Sequence, residues 1–349
     1  QLPGQKIYGI TLSSPNGTSI HLDATPRSEP APGYVHRRMV FDNFLAKNAK
    51  ERATFRIFNV TDIILEDGYV KGIIGTHDGG REEIRAKLVL AADGANSIVA
   101  QKFGLNKNTQ EHFIVETRQY YKGVTGMTDR IELHLVKHLI PGYFWIFPLP
   151  NGEANVGLGM VVRDMQAKKV NLKEATLREI RENPLFKERF KNAVPLEDVK
   201  GWNLPVASYH RKCYGNGFLV LGDAASLIDP LSGEGVGNAM ISGKLAAQVA
   251  AEALQKNDSG ETFLQKYDML LWETIEPEIK SNYRIQVLAK KFPFMIDRLI
   301  VKASKDEAFR RKVEEILPYT GRRKEIATSS FLENIADKNE VEQMLAEAQ

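Results

Sequence analysis

Residues 217–243, GFLVLGDAASLIDPLSGEGVGNAMISG, hold the densest set of chemistry-bearing residues in the chain. The apolar run 217–221 stops at Gly222-Asp223, which reads as a buried strand feeding a sharp turn. A carboxylate just past a strand end can accept hydrogen bonds from sugar-like hydroxyls. Pro230 and then Gly233, Gly235, Val236 and Gly237 lead into a small-residue-rich stretch, 234–255, that reads as a long helix. Glycines there keep side chains away, so backbone N–H groups at the helix start can approach a flat ligand. The positive end of the helix dipole favours negative charge at the same place. A reduced flavin carries such charge at its N1–C2=O edge, and this arrangement would stabilise it.

Two further clusters stand out. Residues 89–97, VLAADGANS, read as a short strand ending in Asp93-Gly94. Residues 141–159, PGYFWIFPLPNGEANVGLG, place Tyr143, Trp145 and Phe147 at alternate positions, so a strand would put them on one face. That row suits either an apolar ligand or the core of a sheet. His134 and His138 lack the His-Glu-x-x-His pattern, so no zinc site is read. No Gly-x-Ser-x-Gly elbow and no phosphate-binding Gly-x-x-x-x-Gly-Lys-Ser/Thr occurs. Cys213 is the lone cysteine; it forms no internal disulfide and reads as packing.

The elements that must carry these residues are legible in outline. Strands are expected over 6–12 and 18–22, with Ser14-Pro15-Asn16-Gly17 as the turn between them. Residues 24–34 read as a Pro-rich loop and 38–50 as a helix with apolar spacing. Residues 54–65 and 69–75 read as strands, with turns at Glu66-Asp67-Gly68 and Asp78-Gly79-Gly80. A buried strand is expected over 87–92, four antiparallel runs between 111 and 163, and helices over 172–191 and 260–349. The 349 residues are 43% apolar and 26% charged, a globular composition whose length suggests about two domains. The net charge of +3 gives no nucleic-acid-binding signature. No run approaches ~18 apolar residues, so no transmembrane helix is read. One cysteine fits a reducing compartment, and a cytoplasmic location is expected.

Taken together, these residues resemble the FAD-dependent hydroxylase-type flavoproteins, which include aromatic hydroxylases, halogenases and geranylgeranyl reductases. Asp93-Gly94-Ala95-Asn96-Ser97 is similar to the second fingerprint of that class, Asp-Gly-x-x-Ser. Gly222, Asp223, Ala224, Pro230, Gly233, Gly235 and Gly237 match the third. Arg38 precedes Phe41-Asp42 as a family arginine does, and the resemblance places it near the FAD, with Arg37 as its neighbour and competitor. Tyr143, Trp145, Phe147, Pro148, Gly152, Val156, Gly157 and Gly159 resemble the Tyr-x-Trp-x-Phe-Pro…Gly…Val-Gly-x-Gly motif of the geranylgeranyl reductases. Halogenases carry Trp at the first two aromatic positions instead. The first fingerprint, Gly-x-Gly-x-x-Gly in an N-terminal βαβ unit, has no counterpart, so the chain is expected to lack on the order of two βα units.

The resemblance implies an α/β fold. An FAD-binding Rossmann-like domain would carry an inserted antiparallel-sheet substrate domain and a C-terminal helical region. The expected division is 1–105 for part of the FAD-binding domain together with substrate-domain strands, 106–205 for the antiparallel-sheet substrate domain, 206–260 for the FAD-binding domain continued, and 261–349 for the helices. The implied activity is reduction of isoprenoid carbon–carbon double bonds on a lipid or quinone, by delivery of a hydride and a proton. NAD(P)H or a ferredoxin-like donor would supply electrons. Asp223 would bind the ribityl chain, the 233–237 backbone would meet the ring edge, and Tyr143, Trp145 and Phe147 would line the substrate channel. No catalytic acid and no metal ligand is assigned. The alternatives are an FAD monooxygenase of an aromatic or lipophilic substrate, and a non-catalytic binder of an isoprenoid. Peripheral membrane contact through basic C-terminal helices is left open, and the oligomeric state is not readable.

Overall fold

A computed structural model describes residues 2–317 and 320–347. The chain divides into two compact units. The first contains residues up to 53, 115–202 and those from 284 on; the second contains 54–114 and 203–283.

The first unit is built on a sheet of eight strands. Its main path runs Val194–Pro195, Phe113–Lys122, Glu153–Val161, Tyr143–Leu149, Arg130–His134, Gly9–Ser13 and Ser19–Asp23, with Lys200–Pro205 beside Phe113–Lys122. Tyr143–Leu149 pairs antiparallel with Arg130–His134 and with Glu153–Val161, as expected, and Gly9–Ser13 joins the sheet in parallel beside Arg130–His134. That pairing ties residues before 53 to this unit. Phe144 and Ile146 turn into a core closed by Leu172, Ala175 and Ile180 of helix Leu172–Glu182 and by Phe186 and Phe190. Behind the sheet, Glu132 accepts both guanidinium N–H bonds of Arg189 at 2.6 and 2.7 Å. His134 bridges Glu132 (3.0 Å) and Ser13 Oγ (2.7 Å), so two neighbouring strands and the Lys187–Phe190 helix share one buried polar network. Helix Arg38–Lys50 forms as expected, but none of its residues is buried, and Met39 is 85% exposed. Its apolar spacing is not used for a core among the described residues.

The second unit holds a three-stranded meander, Asn59–Glu66, Tyr69–His77 and Gly80–Arg85. Its two hairpins turn at Asp67-Gly68 and Asp78-Gly79, where both residues of each pair have positive φ. This is the backbone that a twisted two-residue hairpin demands and that Asp-Gly supplies. A second small sheet runs Tyr214–Gly215, Phe218–Val220 and Val89–Ala91. The long helix Val236–Lys256 buries Ser242, Ala246, Val249 and Ala253, a stripe spaced four, three and four residues apart. Leu264, Tyr267 and Leu271 of the next helix enter the same core, and Tyr267 Oη donates to the Val220 carbonyl at 3.0 Å. Residues 261–283 therefore share a core with the glycine-rich segment. Among the described residues, no helix is long and apolar enough to cross a membrane.

Candidate functional site

The Asp93-Gly94 and Gly222-Asp223 turns meet through strand pairing. Val89–Ala91 and Phe218–Val220 are adjacent and parallel, with Val220 opposite Ala91, and Leu221 N–H donates to the Ala91 carbonyl at 2.9 Å. Parallel neighbours end on the same side, so Asp93-Gly94 and Gly222-Asp223 sit side by side beyond the strand ends. That is the edge where open α/β sheets bind ligands.

Each motif residue first builds its own turn. Gly94 and Gly222 have φ of 77° and 55°, which glycine adopts without strain. Asp93 Oδ2 accepts from the Ile98 N–H (2.8 Å) and Ser97 Oγ from the Ala100 N–H (3.1 Å), so together they cap helix Ile98–Lys102. The Gly222 N–H donates to Ser242 Oγ at 3.1 Å, which fastens the turn to the long helix. A Cβ on Gly222 would lie 3.1 Å from Ala239 Cβ.

The segment 229–235 is shaped by a buried carboxylate that was not among the sequence candidates. Asp229 Oδ1 accepts from the Leu231 N–H (3.0 Å), the Ser232 N–H (2.7 Å) and Ser232 Oγ (2.8 Å). Its Oδ2 accepts from Asn282 Nδ2 at 2.5 Å. Asp229 also closes the loop through its backbone, accepting from Gly233 and donating to the Glu234 carbonyl. Asn282 is fully buried. Its one sequence signal is a polar residue on the stripe of Ile275 and Ile279, seven and three residues before it.

This loop fits the ligand class that the sequence suggests. Helix Val236–Lys256 begins at Gly235 with no side-chain cap and no acidic residue in its first turn. Its leading N–H groups are thus left for an electron-rich edge. Asp223 Oδ1 lies beside Gly235, where a Cβ would come within 3.1 Å of that oxygen and 3.0 Å of Ile228 Cγ1. Glycine there lets the Asp223 carboxylate and the helix start share one small space. Pro230 is buried under the loop, while Gly233, Val236 and Gly237 lie toward its surface.

The other candidates belong to the first unit. Arg38 begins helix Arg38–Lys50, is exposed, and pairs with Asp42 one turn on at 3.2 Å. Arg37 is committed elsewhere: it bonds Glu153 at 2.7 Å and stacks over the Tyr120 ring at 4.8 Å. Tyr143, Trp145 and Phe147 form a continuous row with ring centroids 6.0 and 6.1 Å apart. The row lies on the sheet face opposite Phe144 and Ile146. The neighbouring strand explains the glycines of the motif. Gly157 stands opposite Trp145, and a Cβ there would be 2.1 Å from the indole Cζ2 and 2.3 Å from the Thr117 carbonyl oxygen. The indole N–H donates to Asn155 Oδ1 at 3.1 Å. Cys213 is buried, its thiol donating to Asp268 Oδ1 at 3.2 Å, and burial with that carboxylate pushes its pKa up.

Comparison with known proteins gives a consistent answer. Residues 16–269 match the FAD binding domain family. Digeranylgeranylglycerophospholipid reductase of Methanocaldococcus jannaschii is 37% identical over 290 residues, covering 82% of this chain and 71% of the relative. Digeranylgeranylglycerophospholipid reductase 2 of Methanopyrus kandleri is 31% identical over 290 residues, covering 82% and 70%. A geranylgeranyl bacteriochlorophyll reductase-like protein from Thermoplasma acidophilum superposes with a TM-score of 0.79 at 28% identity, covering 92% of this chain and 82% of the other. The chain belongs to the FAD-binding geranylgeranyl reductase family.

Proposed function

We propose that the protein reduces carbon–carbon double bonds of an isoprenoid chain carried on a lipid. The observation that carries this reading is the similarity over 82% of the chain to digeranylgeranylglycerophospholipid reductases. When bound, FAD supplies the two-electron reduction chemistry. In this reading Asp223 accepts from the hydroxyls of the ribityl chain, and the uncapped N–H groups at 235–237 meet the ring edge. Asp93 and Gly94, at the end of the neighbouring strand, add to the contacts. Asp229 and Asn282 hold the loop in shape. Tyr143, Trp145 and Phe147 line the path of the isoprenoid and exclude water from it, which keeps the alkene aligned. The electron donor is a nicotinamide or a ferredoxin-like carrier. The lipid substrate brings the protein to the cytoplasmic face of a membrane as a peripheral visitor.

The test is the visible spectrum of the purified holoprotein under anaerobic conditions. The flavin absorbance should bleach on chemical reduction and return when a geranylgeranyl lipid is added without oxygen. Recovery only on admitting oxygen, with a hydroxylated product, would replace this reading by a monooxygenase.

A further inference from the structure

We infer that the first unit carries a second binding site, for a phosphate group, in a cleft of 850 Å³ beside helix Leu172–Glu182. The cleft is separate from the aromatic row. Its floor includes Ala175, which packs in the core with Phe144 and Ile146, on the sheet face opposite Tyr143, Trp145 and Phe147.

Three chain segments bring cations into it: His138 from the turn after Arg130–His134, Lys168 and Lys169 at the end of helix Val162–Ala167, and Arg178 and Arg181 from helix Leu172–Glu182. Lys168 Nζ donates to the Ile140 carbonyl, which fixes one wall. Arg178 Nη2 donates to His138 Nε2 at 2.6 Å. The same ring nitrogen lies 3.3 Å from Glu179 Oε1, so a guanidinium and a carboxylate meet at it. Burial holds the His138 imidazole below its ordinary pKa, Glu179 opposes this, and Arg178 and Lys168 add to it. Lys169 and Arg181 have no carboxylate within ion-pairing distance among the described residues.

The charge count decides the ligand class. Four permanent cations face two lining carboxylates, Glu174 and Glu182, a surplus of two. Glu179, buried and 3.3 Å from His138 Nε2, lowers the surplus to one. Like charges gathered around a cleft repel each other until an anion is bound. Converging lysine and arginine donors with surplus positive charge suit a tetrahedral oxyanion. A phosphate group answers that description, whether it belongs to a lipid headgroup or to a soluble molecule.

The experiment titrates the holoprotein with inorganic phosphate, with sodium chloride holding ionic strength constant. The His138 ring is followed by NMR and assigned with His138→Gln. A saturable change that raises the His138 pKa is expected, because a bound anion offsets its cationic neighbours. The double variant Lys169→Ala/Arg181→Ala should weaken binding at least about tenfold. Both residues are exposed and unpaired, so folding is preserved, and Lys173→Ala, outside the cleft, should behave as the parent. A response that never saturates, or equal affinity in the double variant, overturns the site. A second arm uses phosphatidylcholine vesicles with and without phosphatidic acid. Retention on the acidic vesicles that the double variant loses assigns the phosphate to a lipid headgroup. Saturable phosphate binding without retention assigns it to a soluble molecule.

Discussion

Asn282→Ala tests the loop architecture most directly. The side chain is fully buried and donates to Asp229 Oδ2 at 2.5 Å. Asp229 is itself 6% exposed, and its other oxygen already receives three donors. Truncation leaves a buried carboxylate oxygen without its amide donor, a loss of about 1.5–3 kcal/mol for a charge-assisted bond. Asn282 Oδ1 has no partner of its own, so removing it relieves part of that cost. A net effect of about 1–2 kcal/mol follows. If the clamp holds 229–235 in its binding shape, the same energy appears as a roughly tenfold loss of FAD affinity. Denaturant unfolding of the apoprotein and a flavin-fluorescence titration measure the two quantities. Asn282→Asp supplies a pH signature. Two carboxylates in that contact share a proton, so its FAD affinity should recover as pH falls, while the parent shows no such recovery. Unfolding shifted by 1–2 kcal/mol with FAD affinity unchanged would refute the clamp as a positioning device.

Other outcomes follow from the same geometry. Gly157→Ala should displace the Trp145 indole, because the added carbon would stand 2.1 Å from it. Altered tryptophan fluorescence and loss of isoprenoid turnover with FAD binding retained would show it. Burial raises the Glu132 carboxyl, but hydrogen bonds from Arg189 and His134 outweigh burial and hold it below its ordinary 4.5. A depressed carboxylate stabilises the fold above that value, and the stabilisation is lost as pH falls through its folded pKa. Melting curves on the acid side should therefore flatten in Glu132→Gln, which should also be less stable at neutral pH, where Arg189 loses its partner. Cys213 should resist alkylation in the native state and react on unfolding, since burial and Asp268 suppress its thiolate. Rapid native labelling would contradict that burial.

Local chemistry made much of this protein legible in advance. Asp67-Gly68 and Asp78-Gly79 announce hairpins because few other residue pairs accept two positive φ values in succession. The glycine-rich start of Val236–Lys256 is equally local, since glycines there leave the backbone of the helix entry open. Even the shared face of Tyr143, Trp145 and Phe147 follows from strand periodicity alone.

What the residue order could not reveal depends on partners far away in the chain. Arg38–Lys50 has core-like spacing yet buries nothing, because periodicity marks an apolar face without naming what covers it. Parallel pairing of residues 89–91 with 218–220 sets Asp93-Gly94 and Gly222-Asp223 side by side, and no local rule selects that neighbour. Asn282 lies 53 residues from the carboxylate it clamps. Gly157 is explained only once register sets it opposite Trp145. The motifs' resemblance to a flavoprotein family pointed to the class of chemistry, and apolar spacing and turn residues marked most of the elements. Tertiary structure decided which strand ends meet, which polar groups are buried together and which cations face one cleft, because those depend on long-range packing and desolvation that a linear pattern does not encode.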